Sequence, residues 1–261
     1  MRTFLKKQYR KYLQRKATRL YTSLPNRFGT FERVYHIHLR KTAGTSVNSA
    51  FWNQAGLGLQ DIKRKPLVIK QGWIFVRNNL TLINKGHYHF GNSHIPVWKL
   101  SLPPQTYTFC MFREPMERLV SLYRYYLWIQ QTPAEEAIKI EPYYHSIASK
   151  IPFMGNSFTD FLTHLPKKHL QNQLYMFSET YDVEEALEHV AQVHTVCFQS
   201  EFEKGITQLS EALNVSLQVQ RERKFEAPHI VLNEEERKLA QQLLKEEYNF
   251  YRKLVDLYAN T

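Results

Sequence analysis

The chain has 261 residues, 43% of them hydrophobic and 23% charged, an ordinary globular composition that excludes a disordered or fibrous polymer. A chain of this length buries about 70–75% of its unfolded surface, so its core needs no staples, and two cysteines cannot build a disulfide scaffold. The net charge of +11 suggests an anionic partner until it is located. Arg2, Lys6, Lys7, Arg10, Lys11, Arg15, Lys16, Arg19 and Arg27 all precede the first acid, Glu32, and leave only +2 for the remainder. The basicity therefore gives no reason to expect a nucleic-acid partner for the body. No apolar run approaches the ~18 residues of a membrane span, and the start lacks the apolar stretch of a secretory signal. A cytoplasmic protein is expected.

Residues 1–30 read as a basic amphipathic leader ahead of one domain, 31–261. Leu5, Tyr9, Tyr12, Leu13, Leu20 and Tyr21 recur at near-helical spacing. Two readings stay open for 1–24: a solvated helix packed by its apolar side on the body, or an interfacial helix on an anionic membrane or polymer. Leu24-Pro25 ends it. Residues 34–39 form a predicted buried strand, 45–54 the helix after it, and short strands are expected around 67–76 and 83–90. Tyr107–Phe112 is the next buried strand, and Pro115 opens a long helix to Gln131. Beyond Pro133 the pattern is mainly helical, with a strand at 195–199, an amphipathic helix at 201–213 and an extended piece at 217–220. The basic loop Arg221-Glu222-Arg223-Lys224 follows. A helix opened by Asn233-Glu234-Glu235-Glu236 comes last, with acids where the helix dipole favours them. Strands alternating with helices imply an α/β fold, a mainly parallel central sheet flanked by helices on both faces. Cys110 and Cys197 sit in apolar runs and read as reduced core residues.

Three segments carry chemistry. The turn Arg40-Lys41-Thr42-Ala43-Gly44-Thr45-Ser46 lies between a strand and a helix, where free N–H groups and the positive dipole end make an anion cradle. Gly44 admits close backbone approach, Lys41 adds a full charge, and Thr42, Thr45 and Ser46 add hydroxyls. It is not a Walker A loop, because Lys41 precedes Gly44 and the loop is shorter. The next buried strand ends in Arg113, where a Walker B strand would end in an Asp for Mg²⁺. A phosphate-bearing ligand handled without metal is expected. In the second segment, Phe112-Arg113-Glu114-Pro115-Met116-Glu117-Arg118-Leu119-Val120-Ser121, Arg113 stands at the ligand edge of a parallel sheet. Arg118 and Ser121 are placed to converge with it on one anion. The third is Gly86-His87-Tyr88-His89-Phe90-Gly91. A histidine near its unperturbed pKa of ~6.5 suits a general base, and no Cys or acidic cluster accompanies the His pair to suggest a metal.

Together, K-T-x-G-T-S after one strand and R-x-P-x-x-R-x-x-S-x-Y after another resemble the two signature motifs of sulfotransferases that use 3′-phosphoadenosine 5′-phosphosulfate (PAPS). With H-x-R-K-T-A-G-T-S, G-H-x-H-F-G and a terminal D-L-Y, the chain from about Arg33 onward looks like bacterial-type relatives of the heparan sulfate 2-O-sulfotransferase group. That resemblance implies a P-loop-NTPase-like three-layer fold, PAPS as co-substrate, its desulfated form PAP as product, and no metal. It implies the cofactor loop Arg40–Ser46, with Lys41 on the 5′-phosphate and bridging oxygen and Thr42, Gly44, Thr45 and Ser46 around the phosphosulfate; Ala43 belongs to the same loop. It further implies Arg113 and Ser121 on the 3′-phosphate, His87 as the base, and Arg221, Arg223 and Lys224 in a loop closing over the nucleotide, where the family's common Asn is missing. Arg118 fits the pattern and has an alternative structural role, pairing with an acid of its own helix. His169–Gln173 resembles a family stretch near the acceptor cleft. The implied acceptor is a hydroxyl of a glycan or a small metabolite. Two other readings stay open: a P-loop kinase or NTPase, and a non-catalytic polyanion binder using the leader.

Overall fold

A computed structural model of the chain describes residues 2–258 apart from 63–64, 142, 150, 152–153, 156 and 220–229. Its strands β1 (Arg33–Ile37), β2 (Leu67–Lys70), β3 (Trp73–Arg77), β4 (Phe90–Ser93), β5 (Thr106–Phe112) and β6 (Thr195–Phe198) form one sheet in the order β2-β3-β4-β1-β5-β6. β1 runs parallel to both its neighbours, with Val34 opposite Phe90 on β4 and Tyr107 on β5. β3 and β6 extend the parallel set, and β2 turns back antiparallel on β3. The result is a three-layer α/β fold with a mixed, mostly parallel sheet.

Alternation along the strands separates the two faces. On β5, Tyr107, Phe109 and Met111 pack with Val47, Ala50, Phe51 and Trp52 of helix α2 (Gly44–Asn53) and with Ile206 and Leu209 of the helix Phe202–Ala212. Cys110 and Phe112 point the other way, onto Leu174, Phe177, Phe250 and Leu254. Both cysteines are buried and unbridged. A third apolar cluster joins the helix Pro115–Gln131 to the helices Phe158–His164 and Glu234–Leu243.

Helix α1 (Arg2–Tyr21) belongs to this core. Leu13, Ala17 and Tyr21, one helical stripe, are buried in the same cluster as Tyr35 and Tyr88, and the Tyr21 hydroxyl donates to the Glu32 carbonyl at 2.8 Å. Among the described residues no helix is long and apolar enough to cross a membrane.

Two elements differ from the sequence expectation. The strand placed at 83–90 is a helix, Leu80–Lys85, followed by a strand that starts only at Phe90. Its stop signals are local: the Asn79 side chain caps it by accepting from the Leu82 N–H, and Gly86 ends it in a left-handed conformation (φ 71°). The terminal helix is two, Glu234–Leu243 and Lys245–Tyr258, the first opened by a capping box of Asn233 and Glu236. Ala240 and Leu244 face the third cluster while Phe250 and Leu254 face the sheet, so the chain bends at Leu244 to serve both.

Candidate active site at the carboxyl edge of the sheet

β1 ends at Ile37 and α2 begins at Gly44. Between them Lys41 and Ala43 adopt left-handed backbone, φ 67° and 64°, a region that non-glycine residues seldom occupy. Turns containing such residues gather backbone N–H groups into anion-binding concavities, and here the turn opens onto a helix N-terminus. A cleft of about 860 Å³ lies against it.

Most of the predicted site residues meet at this cleft. Arg40, Lys41, Ala43, Gly44, Thr45 and Ser46 line it from the turn, and Arg113 and Ser121 line it from the end of β5 and the helix that follows. The Arg113 guanidinium reaches back to the Lys41 carbonyl at 3.5 Å, so the two segments adjoin. The Lys41 ammonium lies 4.5 Å from the centroid of the Tyr125 ring, whose hydroxyl donates to the Glu141 carboxylate at 2.8 Å.

Thr42 and His87 are placed elsewhere. The Thr42 side chain is fully buried and its hydroxyl donates to the Leu39 carbonyl at 3.2 Å, so it braces the turn from below rather than lining the cleft. His87 precedes β4, and β4 is parallel to β1, which puts His87 at the amino edge of the sheet while the Lys41 turn is at the carboxyl edge. The span of β4 alone separates these edges by roughly 10 Å. At its own edge His87 bonds through Nδ1 to the Thr18 hydroxyl at 2.9 Å and packs on Tyr21. His89 is structural as well: its Nδ1 accepts the Ile74 N–H at 2.9 Å, and burial pushes its pKa down to about 4. Arg221, Arg223 and Lys224 lie outside the described residues.

Arg118 pairs with an acid, though not one of its own helix. It is fully buried, its Nε donates to Glu247 at 2.9 Å, and its other nitrogens donate to the carbonyls of His169 and Leu170. Glu247 also accepts the backbone N–H of Gln173 at 3.0 Å. Gln173 then brackets Arg113: its Oε1 accepts the Arg113 N–H and its Nε2 donates to the Arg113 carbonyl, both at 2.8 Å. Beside it Asn172 accepts the Arg40 N–H at 3.0 Å. The His169–Gln173 stretch thus fixes the backbone of both cationic segments. No local pattern in the sequence reveals this, because the partners lie more than 50 residues apart.

The histidine that does reach the cleft is His94, one residue past β4. Its ring lies 4.2 Å from the His38 ring, tilted by 38°, and its Nδ1 donates to the His38 carbonyl at 2.5 Å, which leaves Nε2 as a bare acceptor. Burial and the nearby Arg40 and Arg77 charges hold its pKa well below the usual histidine value. The sequence offered no motif for it: the G-H-x-x-F resemblance pointed to His87, and only the observed strand Phe90–Ser93 brings His94 to the carboxyl edge. Among the described residues no three His, Cys, Asp or Glu side chains group as for a metal ion.

The site can hold an anion at two neighbouring cationic positions and take a proton on a neutral imidazole beside them. No protein-family model and no curated protein matches this chain.

Proposed function

We propose that the chain is a PAPS-dependent sulfotransferase with a P-loop-NTPase-like arrangement, moving the sulfuryl group to an acceptor hydroxyl on a carbohydrate or a small metabolite. The observation that carries this reading is that the two motif segments, separate in sequence, adjoin at one cleft, Lys41 and Ala43 to Ser46 on one side and Arg113 with Ser121 on the other. The donor set fits a nucleotide carrying two anionic groups: a turn and helix N-terminus with a lysine for one, and an arginine with a backbone held by Gln173 and a hydroxyl about two helical turns further on for the other.

PAPS supplies a sulfuryl group already activated by attachment to phosphate. Lys41 and the turn amides hold the 5′ end and stabilise negative charge on the leaving phosphate oxygen; Arg113 and Ser121 hold the 3′-phosphate. His94 replaces His87 as the base: its Nε2 accepts the acceptor hydroxyl's proton as the new oxygen–sulfur bond forms and the bond to the leaving oxygen breaks. The reading assigns no role to a metal, since Arg113 occupies the place of the Mg²⁺-supporting acid.

Thermal unfolding with PAP, against Mg²⁺·ATP, tests it. A ligand at 100 times its Kd adds ~2.7 kcal/mol, roughly 5–10 °C for a chain of this size. The expected result is a metal-free rise with PAP that Arg113→Ala abolishes. No rise with PAP, and one with Mg²⁺·ATP, would replace the reading with phosphoryl transfer.

A further inference from the structure

His36 and His38 leave β1 on the same side of the strand, and their rings stack 5.0 Å apart. Both lie over Gly44. A β-carbon there would stand 2.2 Å from His38 Cδ2, 2.4 Å from His38 Nε2 and 3.0 Å from His36 Cε1, so the Nε2 edge of His38 fills the space that a side chain at the start of α2 would occupy. His38 also lines the cleft. Gly44 is thus required less for its backbone freedom than for the imidazole packed on it.

Asn48, one turn further along α2 and buried, sits between the two rings: its Oδ1 is 2.7 Å from His36 Nδ1 and its Nδ2 is 3.2 Å from His38 Nδ1. The amide could be turned either way, and His36 decides which. Its Nε2 is buried without a hydrogen-bond partner. With the amide reversed, His36 Nδ1 would accept and Nε2 would carry a buried N–H with nothing to receive it, the costlier kind of orphan. The proton therefore sits on His36 Nδ1, Asn48 Oδ1 accepts it, Asn48 Nδ2 donates to His38 Nδ1, and the His38 proton is left on Nε2. Burial, with His94, His36, Arg77 and Arg40 around it, lowers the His38 pKa well below the usual value, which keeps the ring neutral with a single N–H.

From this geometry we infer that His38 Nε2–H is a hydrogen-bond donor to the group carried at the Lys41 turn, with Asn48 as the positioning residue that fixes its tautomer. His38 and His94 then offer the cleft complementary atoms from neighbouring rings, a donor for the transferring group and an acceptor for the incoming proton. A neutral donor set in place before reaction needs no reorganisation as charge develops. The identity of the donated-to group, the sulfuryl oxygens, rests on the sulfotransferase reading; the tautomer does not.

Long-range ¹H–¹⁵N spectra of the full-length labelled protein, with paired titrations of PAPS and PAP, test both parts. The wild type should show His38 protonated at Nε2 and bare at Nδ1. Asn48→Asp, whose carboxylate can only accept, should move the proton to Nδ1 or charge the ring. His38→Ala should weaken PAPS about tenfold while changing PAP less than twofold, and His38→Gln, which keeps an N–H donor, should restore most of that loss. A wild-type His38 protonated at Nδ1 overturns the tautomer and the role together. Equal loss of PAPS and PAP in His38→Ala, unrelieved in His38→Gln, overturns the donor role and marks the residue as packing only. Failure of wild type to bind PAP removes the nucleotide reading and the donor role, and leaves the spectrum to decide the tautomer alone.

Discussion

Lys41 and His94 line the same cleft, and the proposed sulfotransferase mechanism gives them different tasks that their variants separate. A positioned cation acting on developing charge contributes ~3–4 kcal/mol to the transition state. Lys41→Ala should therefore lower kcat at least 100-fold, followed as PAP released from PAPS; a loss under tenfold removes it from the chemistry. His94→Ala should remove transfer while keeping PAP affinity, whereas His87→Ala, which loses a bond to Thr18 far from the cleft, should keep transfer within a few-fold. The pH profile adds a sign. A base works only when deprotonated, and burial with Arg40 and Arg77 favours that form of His94, so the acid limb of kcat/KM should fall well below the ordinary ~6.5. An acid limb at or above 6.5 would contradict the assignment. The sequence singled out His87 through its motif resemblance and did not mark His94, which carries no motif; the caps Asn79 and Gly86 of a short helix place His87 before β4, at the opposite edge of the sheet.

Among the elements, the helix Pro115–Gln131 was legible to the residue because its signals are local: Pro115 in the first turn and Glu114 accepting from the Glu117 N–H. The turn before α2 was legible for the same reason. The scaffold behind them was not, since it joins helices distant in sequence. Arg118 and Glu247 are both fully buried, and Glu247 serves Gln173 as well. Removing one partner of such a pair strands the other charge, at a cost of about 3–5 kcal/mol. Glu247→Ala should lower Tm by roughly 6–20 °C and, because Gln173 loses its hold, weaken PAP binding in the protein that remains folded. Stability lost with PAP affinity unchanged would show that the clamp on Arg113 does not need Glu247.

The molecule as a whole stores neutral histidines. Burial lowers His36 and His89 to about 4, brings His169 to about 4 with help from Arg40, and holds His38 and His94 below their usual value. The unfolded chain takes up protons near ~6.5 and the folded one resists until much lower pH, so stability is complete above ~6.5 and is lost as pH falls toward 4. For fully buried His36 alone the loss is on the order of 3 kcal/mol once the folded value is passed. Tm should be level from pH 8 to 7 and drop steeply between 6.5 and 4.5; a level Tm across that lower range would rule the effect out. The parallel sheet and its flanking helices were legible from alternation of elements, while the partnership of α1 with the core was one of two open readings, resolved by the burial of Leu13, Ala17 and Tyr21.

The tie from Glu247 through Gln173 to Arg113 also sets an order of events during synthesis. The Lys41 turn, Arg113 and Ser121 leave the ribosome early, yet the carboxylate that neutralises Arg118 and anchors Gln173 is more than a hundred residues behind. Until it arrives, Arg118 is a cation with no place in the interior and the Arg113 backbone is unheld. A nascent chain cut short before Glu247 would carry both cationic segments and still lack the carboxylate that holds Arg118 and Gln173 in place.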